Sequence, residues 1–344
     1  MKAVQIRKFG GPEVLEVVDL PMPEPKAGEV LVKMAYAGVN FTDIYRRSGH
    51  YAESPTYPTK LPVVLGLEGS GTVAAIGAGV AGLTPGVRVA FTRGSGAYAG
   101  HANVPARCIA RIPDGLPLDV AAASMTHGMT AHYLSHEFGL KAGDTCLVHA
   151  GAGGVGQMLI QLARMRNVRV IATAGTSAKA AIARGRGADE VILYRDTDFR
   201  EAVRKLTNGR GVDVVFDSVG KDTIHGSLYS LRPRGICVLY GHTSGKVDHF
   251  DTMDLAEAGS VFLTRPHMQH YVATPEEYAR RANDVLRWVT EGRLKVTIQK
   301  KYRLEEVAAA HAAMAGRQTT GKLLLDVQAQ GPGSERPHVS HQRL

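Results

Sequence analysis

The chain has 344 residues, of which 44% are hydrophobic and 21% charged, a composition typical of a soluble globular protein with room for two domains. No apolar run approaches the roughly 20 residues of a membrane-spanning helix, and the N-terminus lacks a signal-peptide core, so we expect a cytoplasmic protein that does not enter a membrane. Cys108, Cys146 and Cys237 are far apart in sequence and predict neither a disulfide framework nor a cysteine-based zinc site.

The formal net charge of +9 raises the question of a nucleic-acid partner. The lysines and arginines are spread along the chain without interleaved aromatic motifs. The charge therefore predicts no specific nucleic-acid site and is compatible only with weak nonspecific binding.

The first segment, residues 1 to about 119, alternates short apolar runs with Gly and Pro and predicts a mainly β, Greek-key-like barrel. A short helix is predicted over 40–49, directly after one of its strands. The strand candidates of this segment are 2–6, 30–34, 72–76 and 87–91.

From a helix over 121–140 onward, strands and helices alternate regularly, which predicts a doubly wound parallel sheet, the Rossmann arrangement. We expect its strands near residues 145, 168, 191, 213 and 236. An amphipathic helix over 275–292 follows, and residues 323–327 predict a strand that returns to the first domain. The polar stretch 328–344 is expected to be a loose tail.

The first turn of this alternation carries a G-x-G-x-x-G motif formed by Gly151, Gly153 and Gly156. Alone, this motif would be an equally good sign of an ordinary glycine-rich turn. A predicted strand before it, a helix over 157–165 and a strand over 168–173 together favour a dinucleotide site. The residues expected to hold the pyrophosphate are Gly151, Ala152, Gly153, Gly154, Val155 and Gly156.

The segment after the second strand of this unit distinguishes NADPH from NADH. An NAD site usually has an acidic residue about 20 residues after the glycines, but no Asp or Glu occurs between Gly156 and Asp189. At the expected place Gly175, Thr176, Ser177 and Lys179 offer backbone N–H groups, hydroxyls and an ammonium to a 2′-phosphate. The sequence therefore predicts NADPH as the cofactor.

Other chemistry in the sequence is less specific. His132 and His136 have i, i+4 spacing but no third ligand at a meaningful distance, so no metal site is predicted. Tyr45 and Tyr51 follow a predicted strand and are compatible equally with phenols in a cleft and with ordinary aromatic packing.

Several stretches in the same order give the chain a resemblance to the quinone oxidoreductases of the zeta-crystallin-like branch of the medium-chain dehydrogenase/reductase superfamily. The similar stretches are 10–15, 38–43, 45–51, 69–73, 149–156, 217–220 and 264–266. The resemblance implies an α/β protein with a GroES-like barrel in residues 1–117, a Rossmann domain in 118–265, and a C-terminal segment, 266–327, that completes the barrel. It also implies a homodimer.

The resemblance also implies roles for individual residues. Asn40, Tyr45 and Tyr51 resemble the catalytic segment. The positions resembling cofactor contacts are Asn40 and Thr130 at the nicotinamide, Gly175, Ser177, Lys179 and Tyr194 at the 2′-phosphate, and Ser218, Tyr240, Gly241 and Arg317 elsewhere. Zinc-dependent relatives have Cys and His where this chain has Asn40 and Leu67, so catalytic zinc is not expected.

The function implied is direct hydride transfer from NADPH to a quinone. Two alternatives stay open at this point: reduction of activated carbon–carbon double bonds, and a non-catalytic NADPH-binding or RNA-binding role. Residues 52–61, which include Tyr57, are expected to shape the mouth of the substrate site, which leaves the acceptor undetermined.

Overall fold

The computed structural model describes residues 1–54, 58–316 and 319–329 of the chain. In these ranges the strands form two sheet systems, joined by a hydrophobic core that is continuous between them. None of the described helices combines the length and apolar character that a membrane crossing requires.

Most strands of the first segment belong to a largely antiparallel barrel. The strands of this segment are β1 (Lys2–Ile6), β2 (Glu16–Asp19), β3 (Glu29–Gly38), β4 (Val63–Val64), β5 (Gly69–Ile76), β6 (Arg88–Phe91), β7 (His101–Pro105) and β8 (Ile109–Arg111). The long strand β3 is the centre, because it pairs with both β5 and β7. β1 forms a small separate sheet with β2 and β4.

The middle of the chain forms a six-stranded parallel sheet. Its strands are β9 (Thr145–Val148), β10 (Arg169–Ala174), β11 (Glu190–Leu193), β12 (Val212–Asp217), β13 (Leu231–Leu239) and β14 (Phe262–Thr264). The order β11-β10-β9-β12-β13-β14 is that of a Rossmann sheet: β10 and β11 are added on one side of β9, and β12, β13 and β14 on the other, so the strand order reverses between β9 and β12. Ligands bind beyond the carboxyl ends of the strands at such a switch point. The predicted fold class is confirmed.

The last two strands of the chain, β15 (Ile298–Arg303) and β16 (Lys322–Asp326), lie in the barrel and not in the parallel sheet. β16 pairs antiparallel with β3, with Leu325 opposite Ala37. The C-terminal strand predicted from residues 323–327 thus returns to the first segment, as expected.

Helices connect the strands and join the two sheets. They are α1 (Phe41–Arg47), α2 (Leu118–Glu137), α3 (Gly154–Met165), α4 (Ser177–Gly185), α5 (Phe199–Leu206), α6 (Ile224–Tyr229), α7 (Met253–Glu257), α8 (Pro275–Thr290) and α9 (Val307–Ala315). α8 begins with a capping box between Thr274 and Glu277 and has Pro275 in its first turn. α2 is buried between the sheets, and its Thr126 N–H donates to a barrel carboxylate, Glu68 Oε1, over 2.6 Å.

Candidate active site

A cleft of about 1200 Å³ runs between the barrel and the carboxyl ends of the parallel strands. Most residues predicted to bind cofactor or substrate line it: Asn40, Tyr45, Tyr51, Thr130, Ala152, Gly153, Gly154, Val155, Gly156, Gly175, Thr176, Lys179, Tyr194, Ser218, Tyr240 and Gly241. Gly151 is buried beneath the loop, and Ser177 is an exposed residue at the start of α4; neither is among the described lining residues. Arg317 lies outside the described residues.

The glycine loop between β9 and α3 leaves backbone N–H groups available to an anion. Gly153 is the N-cap of α3 and offers no side-chain cap, so the first-turn N–H groups of this helix have no protein acceptor from that position. A Cβ on Gly156 would collide with the carbonyl oxygen of Ala150, and one on Gly151 would lie 2.8 Å from Ala172 Cβ. The loop geometry therefore requires glycine at both positions and fits a pyrophosphate.

A buried polar network supports this loop from below. Asp217, at the end of β12, accepts hydrogen bonds from Ser227 Oγ over 2.7 Å and from Thr223 Oγ1. Ser227 Oγ lies 3.1 Å from His149 Nε2, and His149 Nδ1 lies 3.1 Å from Thr173 Oγ1. Burial lowers the pKa of His149. The neutral ring thus bridges β10, β9 and α6 under the first residue of the loop, a role that the sequence analysis missed.

The predicted 2′-phosphate pocket is assembled at the ends of β10 and β11. Thr176 caps α4 by accepting a hydrogen bond from the Lys179 N–H over 3.3 Å. A Cβ on Gly175 would lie 2.6 Å from Tyr194 Oη, so this glycine allows the phenol to approach the backbone. The pKa of Lys179 is lowered by burial and then by Arg195, which also lines the cleft. Arg195 was not predicted, although it directly follows Tyr194 in the sequence.

Asn40 is held by a buried ion pair between Lys322 and Glu68. Lys322 Nζ donates to Asn40 Oδ1 over 2.7 Å, and Asn40 Nδ2 donates to Glu68 Oε2 over 2.9 Å. Lys322 and Glu68 pair directly and are at most 1% exposed. The buried ammonium and the carboxylate orient the Asn40 amide in the cleft wall.

A second buried chain of hydrogen bonds fixes the start of α1. The Arg47 guanidinium donates to His311 Nδ1, so the proton of the neutral imidazole is on Nε2, which donates to Tyr98 Oη. The Tyr98 hydroxyl donates in turn to Asp43 Oδ2 over 3.1 Å, and the Asn40 N–H donates to the same oxygen. Burial, followed by the charge of Arg47, lowers the pKa of His311 to about 3. This chain anchors the backbone of Asn40.

The Asp43 carboxyl should give the protein a pH-dependent stability. Burial raises its pKa from 3.8 to about 6. Because the folded protein holds this proton more tightly than the unfolded chain, the contribution of Asp43 is complete below pH 4 and is lost as the pH rises through 6. The free energy of unfolding of wild type, measured with urea relative to Asp43→Asn, should therefore fall between pH 4 and pH 6. A difference that is constant over this range would contradict the assignment.

Four aromatic rings form a cluster at the barrel side of the cleft, called here the ring cluster: Tyr45, His50, Tyr51 and His242. His242 stacks on Tyr45 with centroids 4.3 Å apart and on His50 at 4.8 Å. Tyr51 packs edge-on against Tyr45 at 5.6 Å. The two interpretations of the tyrosines are thus compatible, because Tyr45 and Tyr51 both pack together and line the cleft. His242 follows Gly241 directly and was not predicted.

Comparison with known proteins assigns the family. A 2-haloacrylate reductase of Burkholderia sp. is 40% identical over 332 residues, with 95% of this chain and 99% of the relative covered. A quinone oxidoreductase of Pseudomonas aeruginosa is 39% identical, with 94% and 99% covered. The crystal structure of Escherichia coli quinone oxidoreductase complexed with NADPH matches with a TM-score of 0.91, 37% identity, and 95% and 100% coverage. The chain belongs to the quinone oxidoreductase family.

Two broader family profiles also match this quinone oxidoreductase family member. Residues 26–114 match the alcohol dehydrogenase GroES-like domain, and residues 154–286 match the zinc-binding dehydrogenase family. The second description raises the question of zinc. The residues around Asn40 do not fit that metal, because an ammonium, Lys322 Nζ, occupies the cluster with Glu68 and would repel a cation. Among the described residues there is no cluster of three His, Cys, Asp or Glu side chains suited to a metal.

Proposed function

We propose that the protein is an NADPH-dependent quinone reductase that works without a catalytic metal. The observation that carries the proposal is one continuous cleft that joins the 2′-phosphate pocket, the glycine loop, Asn40 and the ring cluster. What further supports it is the family of quinone oxidoreductases, one of which was solved as a complex with NADPH.

The protein's part in the reaction is binding, orientation and exclusion of water. Lys179, Arg195 and Thr176 bind the 2′-phosphate, and the first turn of α3 binds the pyrophosphate. Asn40, fixed by Lys322 and Glu68, positions the nicotinamide end, where Thr130 also lines the cleft. When bound, NADPH supplies a hydride, and a quinone that accepts it takes up one proton from solvent to give the hydroquinone.

The test of this function is an acceptor screen. NADPH oxidation is followed with a series of quinones, enones and simple aldehydes as acceptors, and each rate is compared with the rate without acceptor. We expect quinones to give the highest kcat/KM, and we expect unactivated aldehydes to give no NADPH oxidation above the rate without acceptor. Tight NADPH binding without turnover of any acceptor would instead favour a non-catalytic role.

Reduction of activated carbon–carbon double bonds is a second candidate, which the 2-haloacrylate reductase relative favours. The same cleft would orient an enone over the nicotinamide, and the same donors would act on its carbonyl oxygen. Enones that exceed quinones in kcat/KM in the screen would establish this reaction in place of the first.

Tyr51 is proposed to donate a hydrogen bond to the acceptor oxygen as negative charge develops on it. Tyr51→Phe retains the edge-on packing against Tyr45 and removes only the hydroxyl. Because a quinone accepts hydride readily, we expect a loss of about tenfold in kcat/KM, or about 1.4 kcal/mol, with NADPH affinity unchanged. Tyr57 lies outside the described residues; if Tyr57→Phe lowers kcat/KM and Tyr51→Phe does not, Tyr57 is the donor.

We also propose the domain limits 1–117, 118–265 and 266–327, and assign the chain to the zeta-crystallin-like branch. The loose tail expected over 328–344 lies, from residue 330 onward, outside the described residues. A cytoplasmic location is supported by the three cysteines, all of them buried and unpaired.

A homodimer is proposed through β14. This strand is at the edge of the parallel sheet, and the Phe262 side chain on it is 60% exposed. Pairing two such edges about a two-fold axis would satisfy their backbone groups and cover the phenyl ring. Sedimentation equilibrium at micromolar concentration should give twice the mass of the chain. Phe262→Lys should shift the equilibrium toward monomer, whereas a wild-type monomer would contradict the proposal.

A further inference from the structure

Arginine side chains give a positive charge to the end of the cleft where the acceptor is proposed to bind. Arg265, directly after β14, donates from Nη2 to His242 Nδ1 over 3.0 Å and from Nη1 to the Pro266 carbonyl oxygen over 3.3 Å. Arg93, after β6, donates from Nη2 to Gln269 Oε1 over 3.2 Å. Both line the cleft, as does Arg46, the residue after Tyr45, and among the described lining residues Asp222 is the one carboxylate.

The histidines nearest to these arginines do not supply the positive charge. Burial, followed by the charges of Arg265, His50, Lys246 and His267, lowers the pKa of His242 to about 4. Burial also lowers the pKa of His267, followed by Arg265, His270 and Arg93. Both imidazoles are therefore neutral at pH 7, and the positive charge of this region comes from the guanidinium groups and the Lys246 ammonium.

The cofactor's phosphates do not explain these arginines. The glycine loop follows β9, the 2′-phosphate pocket follows β10 and β11, and Arg265 follows β14. β14 is three strands from β9 and four from β10 in the sheet. With a strand spacing of about 4.8 Å, Arg265 is roughly 14 Å from the pyrophosphate position and 19 Å from the 2′-phosphate side.

We propose that the acceptor carries an oxyanion, a carboxylate or a sulfonate, beside its reducible bond, and that Arg265 and Arg93 bind this group. A guanidinium fork matches two oxygens of such an anion and stays charged at all working pH values. His242 and Pro266 orient the Arg265 fork, while Tyr45, stacked on His242, forms the adjacent aromatic wall. This inference rests on the proposed function and narrows its substrate class.

The experiment uses two acceptors that share a ring system and differ in charge, naphthoquinone and naphthoquinone sulfonate. The quantity measured is kcat/KM for the anionic acceptor divided by kcat/KM for the neutral one, in wild type and in variants. Comparing this ratio between proteins cancels the difference in reduction potential between the acceptors. In Arg265→Gln and, separately, Arg93→Gln, we expect it to fall by about tenfold or more. Arg265→Lys should lower this ratio less than Arg265→Gln does, because the charge is retained.

Arg293→Gln is the matched control, since Arg293 is an exposed arginine at the end of α8, outside the cleft lining. It should leave the ratio unchanged, and NADPH affinity verifies that each variant is folded. In wild type, added salt should lower the ratio because it screens the attraction. Variants that lower kcat/KM equally for both acceptors would overturn the anionic-acceptor inference, whereas the quinone reductase function would stand. Absence of turnover with either acceptor would overturn the proposed function and this inference with it.

Discussion

Replacing Lys322 by methionine is expected to lower the free energy of unfolding by about 3–5 kcal/mol, because it leaves the buried Glu68 carboxylate without its cation. Glu68 is 0% exposed, and it would retain only neutral donors, Asn40 Nδ2 and the Thr126 N–H. Urea unfolding followed by circular dichroism measures the loss. The turnover number should fall as well, because Asn40 Oδ1 loses its hydrogen bond from Lys322.

Two further variants show whether burial of the pair causes this effect. Lys2→Met removes an ion pair of similar length, Lys2 with Glu305 at 2.7 Å, but on the surface, and should change stability little. The double variant Lys322→Met with Glu68→Gln removes both charges and should be more stable than the sum of the single losses predicts. If Lys322→Met costs no more stability than Lys2→Met, the buried pair does not have the role assigned to it.

Replacing Lys179 by alanine should weaken NADPH binding by about 1.5–3 kcal/mol, a tenfold to roughly hundredfold rise in Kd. The reason is the loss of a charged hydrogen bond to the 2′-phosphate, a group that NADH lacks. NADH affinity should therefore stay the same, and the preference for NADPH should largely disappear. Fluorescence titration with both cofactors measures the two constants.

The neighbouring cation provides a second test of this pocket. Arg195 is close enough to lower the pKa of Lys179. Arg195→Ala should therefore also weaken the binding of NADPH and leave the binding of NADH unchanged. Lys205→Ala, on the exposed face of α5, makes the same change in net charge away from the cleft. This control variant should leave the Kd of both NADPH and NADH unchanged. If Lys179→Ala weakens the binding of NADPH and of NADH equally, Lys179 does not contact the 2′-phosphate.

The parts of the fold that local patterns encode were predictable from the sequence. The spacing of Gly151, Gly153 and Gly156 predicts the β9–α3 turn because the motif is short, and at Gly153 and Gly156 the steric demand comes from Ala150 within the same turn. The alternation of apolar strands and amphipathic helices predicts the parallel sheet for the same reason, since its periods are short. The absence of Asp and Glu between Gly156 and Asp189, which predicts NADPH, is likewise read directly from the sequence.

The site itself depends on contacts that no local pattern contains. Lys322 meets Asn40 across 282 residues, and nothing in its neighbourhood distinguishes a buried lysine from a solvated one. The stack of His242 on Tyr45 likewise joins the end of β13 to α1. A histidine next to the predicted contact Gly241 was a usable signal, but its partner became visible only with the two sheets placed together.

The pairing of β16 with β3 has a consequence for synthesis on the ribosome. The first eight strands emerge roughly 200 residues before Lys322, which at 5–20 residues per second is a delay of roughly 10–40 s. During this time Glu68 has no cation beside it, and the end of β3 at residues 36–38 lacks its second neighbouring strand, whereas the parallel sheet can already assemble. The barrel can therefore be completed only after the whole parallel sheet has been translated, because β16 follows that sheet in the chain. This interval is when we expect the chain to depend most on chaperones.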